Sequence, residues 1–374
     1  MGGLQPRRQG VGEIVMSTAG QSESPFHSFI ESAFYARGGG GDIYIIVSVS
    51  GTTHVYGINS ETGDTLFDAT LSNASHISVG PTGRVFVTRT ASNQIVEIAP
   101  DDGATIATYS VTSPRRGTCS GSLVLYGAAT SNRFAAVDED FTAEQWSYTT
   151  GVPGSSPLGI DIDSAGNSYW STATDTTGFV VKLNSSGAEQ WKANPPATWG
   201  FVTRPVYFGG YLFVVREPAS TGATNHKIVK LSATDGSELA SIDTQQVLPR
   251  TGFPTVNPYA LCTANDGKAY LVYLIEDLPA PPFDTGIDTY QIQRFASDLS
   301  SMEEAYDTYF LDNFAEFVVP NGGVLVSRSA AQTPTPGNRQ VELLTTGLDS
   351  VWVKDLGSSS NPPTVACGGY IARS

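Results

Sequence analysis

The sequence predicts an all-β protein built from tandem four-stranded antiparallel sheets. Its 374 residues exceed the roughly 250–300 that one hydrophobic core usually serves, which favours repetition or two domains. Charged residues make up 15% and aromatic residues 10%, with 39 glycines, whereas disordered chains combine few aromatics with high charge. No window shows sustained 3.6-residue periodicity; the nearest is 299–309, for which we expect one or two helical turns.

A repeat of about 37–50 residues runs along the chain, and this period is typical of β-propeller blades. Each copy contains an apolar strand, a tight turn, a strong strand, a loop, a third strand, a second tight turn and a final strand. The clearest copies are 75–111, 158–194 and 203–244. Looser copies cover 27–72, 116–150, 256–309 and 313–356.

Turn residues recur at matching places in the copies. Glycine supplies a positive φ, and Asn or Asp tolerates it, so these are hairpin turns. Between first and second strands stand PTG (81–83), SAGN (164–167), NDG (265–267) and NGG (321–323). Between third and fourth strands stand ETGD (61–64), DDG (101–103), SSG (185–187) and TDG (234–236).

The strongest predicted strands are the second strands of the copies. They cover 43–49, 84–88, 123–126, 168–170, 211–215, 269–274 and 324–327. An eighth pair is predicted at 364–367 and 370–373, and 13–18 reads as a lone N-terminal strand. We therefore expect eight blades in a ring closed by pairing of N- and C-terminal strands, with seven as the alternative if 27–34 is not a strand. This closure would remove an exposed sheet edge. The predicted parts are an N-terminal arm with a closing strand, 1–25, and a propeller, 26–374.

Several segments resemble the PQQ-type repeat of β-propellers, which is related in form to WD40 repeats. They are HVYGINSETGDTLF (54–67), AAVDEDFTAEQW (135–146), VVKLNSSGAEQW (180–191) and KIVKLSATDGSEL (227–239). DIDSAGNSYW (161–170) is similar to a turn common in bacterial propeller repeats. The resemblance implies the fold and little of the function, because propellers serve many functions. No dedicated active-site set accompanies it, so we expect no quinone or other cofactor.

Composition excludes some partners. The net charge of −15 gives no basic footprint for nucleic acid. The cysteines Cys119, Cys262 and Cys367 have no zinc-site spacing and are expected to be small buried or half-buried residues. No run approaches 18 apolar residues, so we expect no membrane span. The N-terminal Arg pair lacks a following apolar run, and we expect a protein that is made and kept in a cytoplasm or that leaves it by a route other than the general export pathway.

Long connections concentrate on one face of the predicted propeller. Second–third loops such as 217–226 and blade-to-blade connectors such as 244–256 are long there, whereas the turns on the opposite face are short. Because binding residues are often carried on loops, we expect a binding surface on this face. The candidate binding residues are Trp199, Arg204, Arg250, Phe253 and Phe283.

No catalytic or metal-binding motif emerges. The histidines are His27, His54, His76 and His226, and none has metal-ligand spacing. The DxDxxGN run of Asp161, Asp163 and Asn167 is interpreted as a strand end with an Asx-type turn, because a calcium loop needs a longer ligand set. We expect no enzymatic activity and no metal; a polysaccharide hydrolase or lyase using Asp284 or Asp288 is the least favoured alternative.

The leading functional hypothesis is a structural protein of a bacteriophage virion, displayed on tail or capsid. The acidic, Lys-poor, Ser/Thr/Gly-rich composition and the N-terminal segment unlike a blade favour it. Residues 1–25 would bind other virion proteins, and the long-loop face would bind a neighbouring subunit, a host receptor or a glycan. The alternative is a bacterial β-propeller scaffold for protein–protein interaction in the bacterial cytoplasm.

Overall fold

A computed structural model gives the fold of this chain. The residues that it describes are 43–49, 52–59, 61–80, 83–128, 132–152, 156–173, 178–218, 226–244, 255–263, 266–276, 289–309, 324–329, 338–358 and 366–368. The predicted arm at 1–25 and its boundary with the propeller lie outside these residues and stay predictions.

The described residues form β-strands and one 3₁₀ turn, Thr90–Ser92, with no α-helix. The strands are β1 (Ile43–Val49), β2 (Thr52–Ile58), β3 (Thr65–Thr70), β4 (His76–Val79), β5 (Val85–Arg89), β6 (Gln94–Ile98), β7 (Thr105–Ser110), β8 (Pro114–Ser120), β9 (Leu123–Ala128), β10 (Arg133–Asp138), β11 (Glu144–Thr149), β12 (Ser156–Ile162), β13 (Ser168–Ala173), β14 (Val180–Leu183), β15 (Glu189–Ala193), β16 (Trp199–Phe201), β17 (Val206–Phe208), β18 (Tyr211–Pro218), β19 (Lys227–Ser232), β20 (Glu238–Asp243), β21 (Thr255–Thr263), β22 (Ala269–Glu276), β23 (Thr289–Phe295), β24 (Met302–Tyr309), β25 (Val324–Ser329), β26 (Asn338–Leu344), β27 (Ser350–Ser358) and β28 (Ala366–Gly368). No helix among the described residues has the length and hydrophobicity needed to cross a bilayer.

The strands of the described residues pair into seven antiparallel sheets, which we call blades. The blades are blade 1 (β28-β1-β2-β3), blade 2 (β4 to β7), blade 3 (β8 to β11), blade 4 (β12 to β15), blade 5 (β16 to β20), blade 6 (β21 to β24) and blade 7 (β25 to β27). All seven predicted second strands are confirmed, and the all-β class is confirmed with them. Each outermost strand follows its neighbour through a short turn. In blades 1, 2, 4 and 5 a glycine supplies the positive φ of this turn, whereas Phe141, Leu299 and Leu348 adopt it in blades 3, 6 and 7.

The helical turns expected at 299–309 are wrong, because β24 pairs along its length with β23. Its carboxylates reach cations elsewhere in the blade: Glu303 lies 2.6 Å from the ammonium of Lys268, which precedes β22, and Glu304 lies 2.8 Å from the guanidinium of Arg294 in β23. These cross-strand pairs hold the segment in a sheet, and cross-strand partners are not visible in local periodicity.

The first blade contains a strand from near the end of the chain. β28 pairs with β1, with Ile45 opposite Cys367 and Ile46 opposite Ala366. β28 thus lies next to β1, where the sequence predicted residues 27–34. The segments 13–18, 27–34 and 370–373 lie outside the described residues, so the number of blades and the N-terminal closing strand stay predictions.

Neighbouring blades pack through their first strands and through buried aromatic residues. β28 contacts β4, β4 contacts β8, and β8 contacts β12, which places these inner strands side by side. Between blades 3 and 4, Phe134 stacks on Trp170 with 4.3 Å between ring centroids, and both side chains are fully buried. Burying a side chain of this size stabilises the fold by about 2–3 kcal/mol.

An aromatic residue of several outermost strands also packs on a turn glycine of the following blade. The glycine has no Cβ, so the ring lies directly against the backbone. A Cβ at Gly187 would stand 2.6 Å from the Trp146 ring. The contacts of this kind are Phe67 on Gly103, Trp146 on Gly187, Trp191 on Gly236, and Trp352 of blade 7 on Gly63 of blade 1.

Candidate functional site

Two of the five predicted binding residues lie in the described part of the chain, both in blade 5. Trp199 begins β16, and Arg204 precedes β17. Arg250, Phe253 and Phe283 lie outside the described residues. The structure therefore brings Trp199 and Arg204 into one blade, and the binding role of all five stays a prediction.

Strand pairing places Trp199 at the long-loop end of blade 5. Trp199 lies opposite Pro218, the last residue of β18, and Phe201 lies opposite Arg216. β19 begins at Lys227, and Arg216 lies opposite Lys227 in the β18–β19 pair. We call Trp199, Arg216, Glu217, His226 and Lys227 the blade-5 end. The predicted long loop between the second and third strands joins Arg216 and Glu217 on β18 to His226 and Lys227 at the start of β19.

The indole of Trp199 is half-buried and lies beside two cations. The guanidinium carbon of Arg216 is 5.3 Å from the Trp199 ring centroid, and the Lys227 ammonium is 5.9 Å from it. Both distances lie within the range of cation–π attraction. The blade-5 end therefore combines an aromatic surface with two cationic side chains, each of which is paired with a carboxylate.

Carboxylates hold both cations in place. The two terminal nitrogens of Arg216 donate to the two oxygens of Glu238, at 2.6 and 3.1 Å, and Arg216 is 8% exposed. The Lys227 ammonium lies 3.2 Å from an Asp243 oxygen. The buried Nε of Arg216 has no hydrogen-bond partner. These bonds fix the positions of the cations, so little side-chain freedom is left to lose when a partner binds.

His226 is the buried ring of the blade-5 end. It is 2% exposed, and its Nε2 lies 3.1 Å from the exposed carboxylate of Glu217. The amide and hydroxyl of Thr244 both donate to the His226 carbonyl, which fixes the backbone. The buried Nδ1 has no hydrogen-bond partner. Most buried polar atoms are paired, so this nitrogen is the ring atom with capacity left for a hydrogen bond.

Arg204 contributes to packing between blades 4 and 5. A Cβ at Gly159 would lie 2.5 Å from the Arg204 Cβ, so the glycine allows the Arg204 stem to approach the β12 backbone. Arg204 is half-buried by this contact. Its aliphatic stem therefore serves the fold, as long cationic side chains commonly do.

The DxDxxGN run forms the predicted Asx-type turn. Asp163 accepts hydrogen bonds from the amides of Ala165 and Asn167 at 3.0 and 2.9 Å, and from the Tyr169 hydroxyl at 2.9 Å. Burial raises the pKa of Tyr169, and the negative charge of Asp163 raises it further. The turn is thus a structural element. Among the described residues, no group of His, Cys, Asp and Glu could hold a metal ion.

The sequence did not indicate Arg216, Glu217, His226 and Lys227 as one site. Of these four residues, the motif search considers only His226, and the spacing of His226 from the other histidines excludes the common metal-binding motifs. These residues come together because β16 and β19 pair with β18 in a particular register. That register is a property of the tertiary structure and cannot be read from the local sequence. The polar residues on both sides of the predicted 217–226 loop are the one local indication.

Comparison with known proteins identifies the fold. Residues 41–172 match the family model described as outer membrane protein assembly factor BamB, a PQQ-type repeat family. The protein is a β-propeller. The predicted PQQ-type resemblance of this β-propeller is confirmed over that third of the chain. No curated protein is significantly similar to the sequence.

Solved β-propellers are similar to the chain at low identity. A protein from Lactobacillus plantarum is 13% identical with a TM-score of 0.59, over 88% of this chain and 99% of that one. Virginiamycin B lyase from Staphylococcus aureus is 15% identical with a TM-score of 0.52, over 76% and 83%. Hydrazine synthase from Kuenenia stuttgartiensis is 12% identical with a TM-score of 0.52, over 73% and 76%.

These neighbours contradict the expectation of no enzymatic activity, because enzymes with this fold are among them. The expectation rested on the lack of motifs with fixed spacing. In a propeller, side chains from different blades meet on one face, so a catalytic set need not form a local motif. At 12–15% identity the neighbours show the fold alone and assign no reaction to this chain.

Proposed function

We propose that this β-propeller is a binding protein that contacts a protein partner through its long-loop face, with the blade-5 end as a contact point. The observation that carries the proposal is the half-buried Trp199 beside the anchored cations Arg216 and Lys227. Trp and Arg are, with Tyr, the residues enriched at interface hot spots. The predicted binding residues Arg250 and Phe253 belong to the connector that follows blade 5.

A photo-crosslinking experiment tests this proposal. A benzophenone amino acid replaces Trp199 in one variant and Tyr211 in a matched control. Tyr211 is 41% exposed at the opposite end of β18, so it samples the short-turn face of the same blade. We expect a discrete cross-linked protein from position 199 and none from position 211. Equal yields from the two positions, or no adduct from 199 in the native host, would count against the blade-5 end.

Substitution then measures the contribution of the site. Trp199→Ala should weaken binding of the cross-linked partner by about tenfold or more, as expected for a hot-spot residue. Lys227→Ala should weaken it less, because this change removes one cation 5.9 Å from the ring centroid and leaves the aromatic surface in place. Tyr211→Ala is the matched control and should leave the affinity unchanged. Titration of the purified partner by calorimetry gives these values.

The narrower proposal is that the partner belongs to a bacteriophage particle, to which residues 1–25 attach the propeller. The acidic, Lys-poor, Ser/Thr/Gly-rich composition supports it, with the long-loop face directed to a neighbouring subunit, host receptor or glycan. Deletion of 1–25 should then abolish incorporation into particles while leaving the blade-5 crosslink intact. Unchanged incorporation would reject the attachment, and a cellular partner found without phage genes would favour a bacterial scaffold.

A further inference from the structure

The outermost strand of each of the seven blades has a bulge at its second residue. In blade 7, Leu343 pairs with Trp352 and Leu344 pairs with Ser350, so Val351 has no residue opposite it. A bulged residue leaves the regular pairing, and here the bulged residue is exposed in each blade. The bulged residues, from blade 1 to blade 7, are Leu66, Ile106, Gln145, Gln190, Leu239, Glu303 and Val351.

Three successive blades place an aliphatic residue at this position. Val351, Leu66 and Ile106 are 51%, 44% and 59% exposed, and Val353 of blade 7 is 41% exposed. Blades 7 and 1 touch through Trp352 and Gly63, and blades 1 and 2 through Phe67 and Gly103. We call Val351, Val353, Leu66 and Ile106 the aliphatic rim.

The chain itself shows that the fold does not need aliphatic residues there. Blades 3 and 4 carry Gln145 and Gln190 at the same bulge position, with the same pairing around them. Single exposed aliphatic side chains are common on protein surfaces, so Leu239 alone carries no conclusion. Exposed aliphatic residues instead recur at one position in three adjoining blades, and exposed apolar surface concentrated in one region of a protein marks interaction sites.

Negative charge borders the aliphatic rim. Within the described parts of these three outer strands and of the turns before them, Lys354 is the one cationic residue. The exposed carboxylates there are Glu61, Asp64, Asp68, Asp101, Asp102 and Asp349. A partner that covers the rim must therefore combine aliphatic side chains with positive charge.

The outer strand of blade 2 adds an open edge. β7 (TIATYS) contains no charged residue, whereas the outer strands of blades 1, 3, 4, 5, 6 and 7 each contain at least one. Charged residues on an edge strand discourage pairing with another chain. Among the described residues, β7 pairs with β6 alone. Its edge therefore offers backbone groups to an extended segment beside Ile106.

We propose that the aliphatic rim is a second docking surface, which binds an extended cationic segment of another protein. Aliphatic side chains of that segment cover Val351, Leu66 and Ile106, and its Lys or Arg residues lie against the bordering carboxylates. A second copy of this chain does not fit, because each copy carries a net charge of −15 and presents the same carboxylates. This surface lies on the outer strands and is separate from the blade-5 end.

The test uses a fluorescent peptide of alternating Lys and Val, with an alternating Glu and Val peptide as the charge control. The variant L66Q/I106Q/V351Q replaces the rim by the residue found naturally in blades 3 and 4, and it leaves the net charge unchanged. L239Q is the matched control at the same position in blade 5. We expect the Lys–Val peptide to bind wild type and L239Q alike, and to bind the triple variant about tenfold more weakly.

Two results would overturn the proposal. Equal affinity of wild type and the triple variant for the Lys–Val peptide would show that binding depends on charge alone. Concentration-dependent self-association of wild type in sedimentation velocity, lost in the triple variant, would assign the rim to a second copy. Circular dichroism and the three single variants separate loss of binding from loss of folding.

Discussion

Gly187 shows how one residue fixes the contact between two blades. Its φ is +81°, which an L side chain rarely adopts, and its missing Cβ leaves room for the Trp146 ring of the preceding blade. The indole nitrogen of Trp146 donates to the Ser185 carbonyl at 3.0 Å in the same turn. The turn sequence SSG therefore determines both the hairpin and the inter-blade contact.

Gly187→Ala should lower the free energy of unfolding by about 3 kcal/mol, since backbone strain at positive φ adds to overpacking against the indole. Gly151→Ala is the matched control, because Gly151 has φ +70° and a Cβ there would meet no other atom within 4 Å. It should lower the free energy by about 1–2 kcal/mol, the strain alone. Urea unfolding of the two variants measures the difference, and equal losses would contradict the packing role of Trp146.

At the scale of the element, an aspartate at the third–fourth turns of blades 3, 5 and 6 accepts hydrogen bonds from other residues of the same turn. In blade 3, Asp138 accepts hydrogen bonds from the Thr142 hydroxyl and amide at 2.6 and 2.7 Å. These bonds lower the pKa of Asp138 below its ordinary value of 3.8. The same lowering of the pKa occurs at Asp235, bonded by Ser237 in blade 5, and at Asp298, bonded by Ser300 in blade 6.

These turns predict loss of stability in acid. A carboxyl group whose pKa is lower in the folded state stabilises the fold above its unfolded pKa, and this contribution is lost as the pH falls below 3.8 through the folded pKa. The variant D138N/D235N/D298N should therefore lose less stability than wild type between about pH 5 and about pH 2. Urea unfolding across this range provides the comparison. Identical pH profiles would show that the turn carboxylates contribute nothing.

Elements with local signals are predictable from the sequence, and elements set by distant partners are not. The strand at 43–49 and the turn at 185–187 follow from apolar runs and Gly turns, which are local. The segment 299–309 differs from its prediction because its partner strand is β23 and its ion-pair partners, Lys268 and Arg294, lie outside the segment. Trp199 is predicted by its residue type and loop. Its neighbours Arg216 and Lys227 carry no such signal, because strand register brings them together.

At the scale of the whole molecule, two contacts between the C-terminal part of the chain and blade 1 determine which blades are neighbours. β28 pairs with β1, and Trp352 of blade 7 packs on Gly63 of blade 1, so both contacts join residues far apart in sequence. They make blades 7, 1 and 2 neighbours, and the aliphatic rim requires that arrangement. The same arrangement of blades determines which face of the propeller carries the blade-5 end.

Disulfide cross-linking tests this arrangement most directly. Ile45→Cys places a thiol opposite the native Cys367, and the double variant I46C/A366C places a pair at the next position. Adjacent antiparallel pairs alternate between wide and close geometry, so one of the two has the close spacing. Matched controls within β1 and β2 are I46C/V55C and V47C/H54C.

Peptide mapping by mass spectrometry after mild oxidation gives the answer. We expect a disulfide from position 45 to position 367, or from 46 to 366, with a yield similar to that of the better β1–β2 control. Cross-linking of a β1–β2 control with neither β1–β28 pair linked would contradict the arrangement, because the end of the chain would then not lie in the first blade.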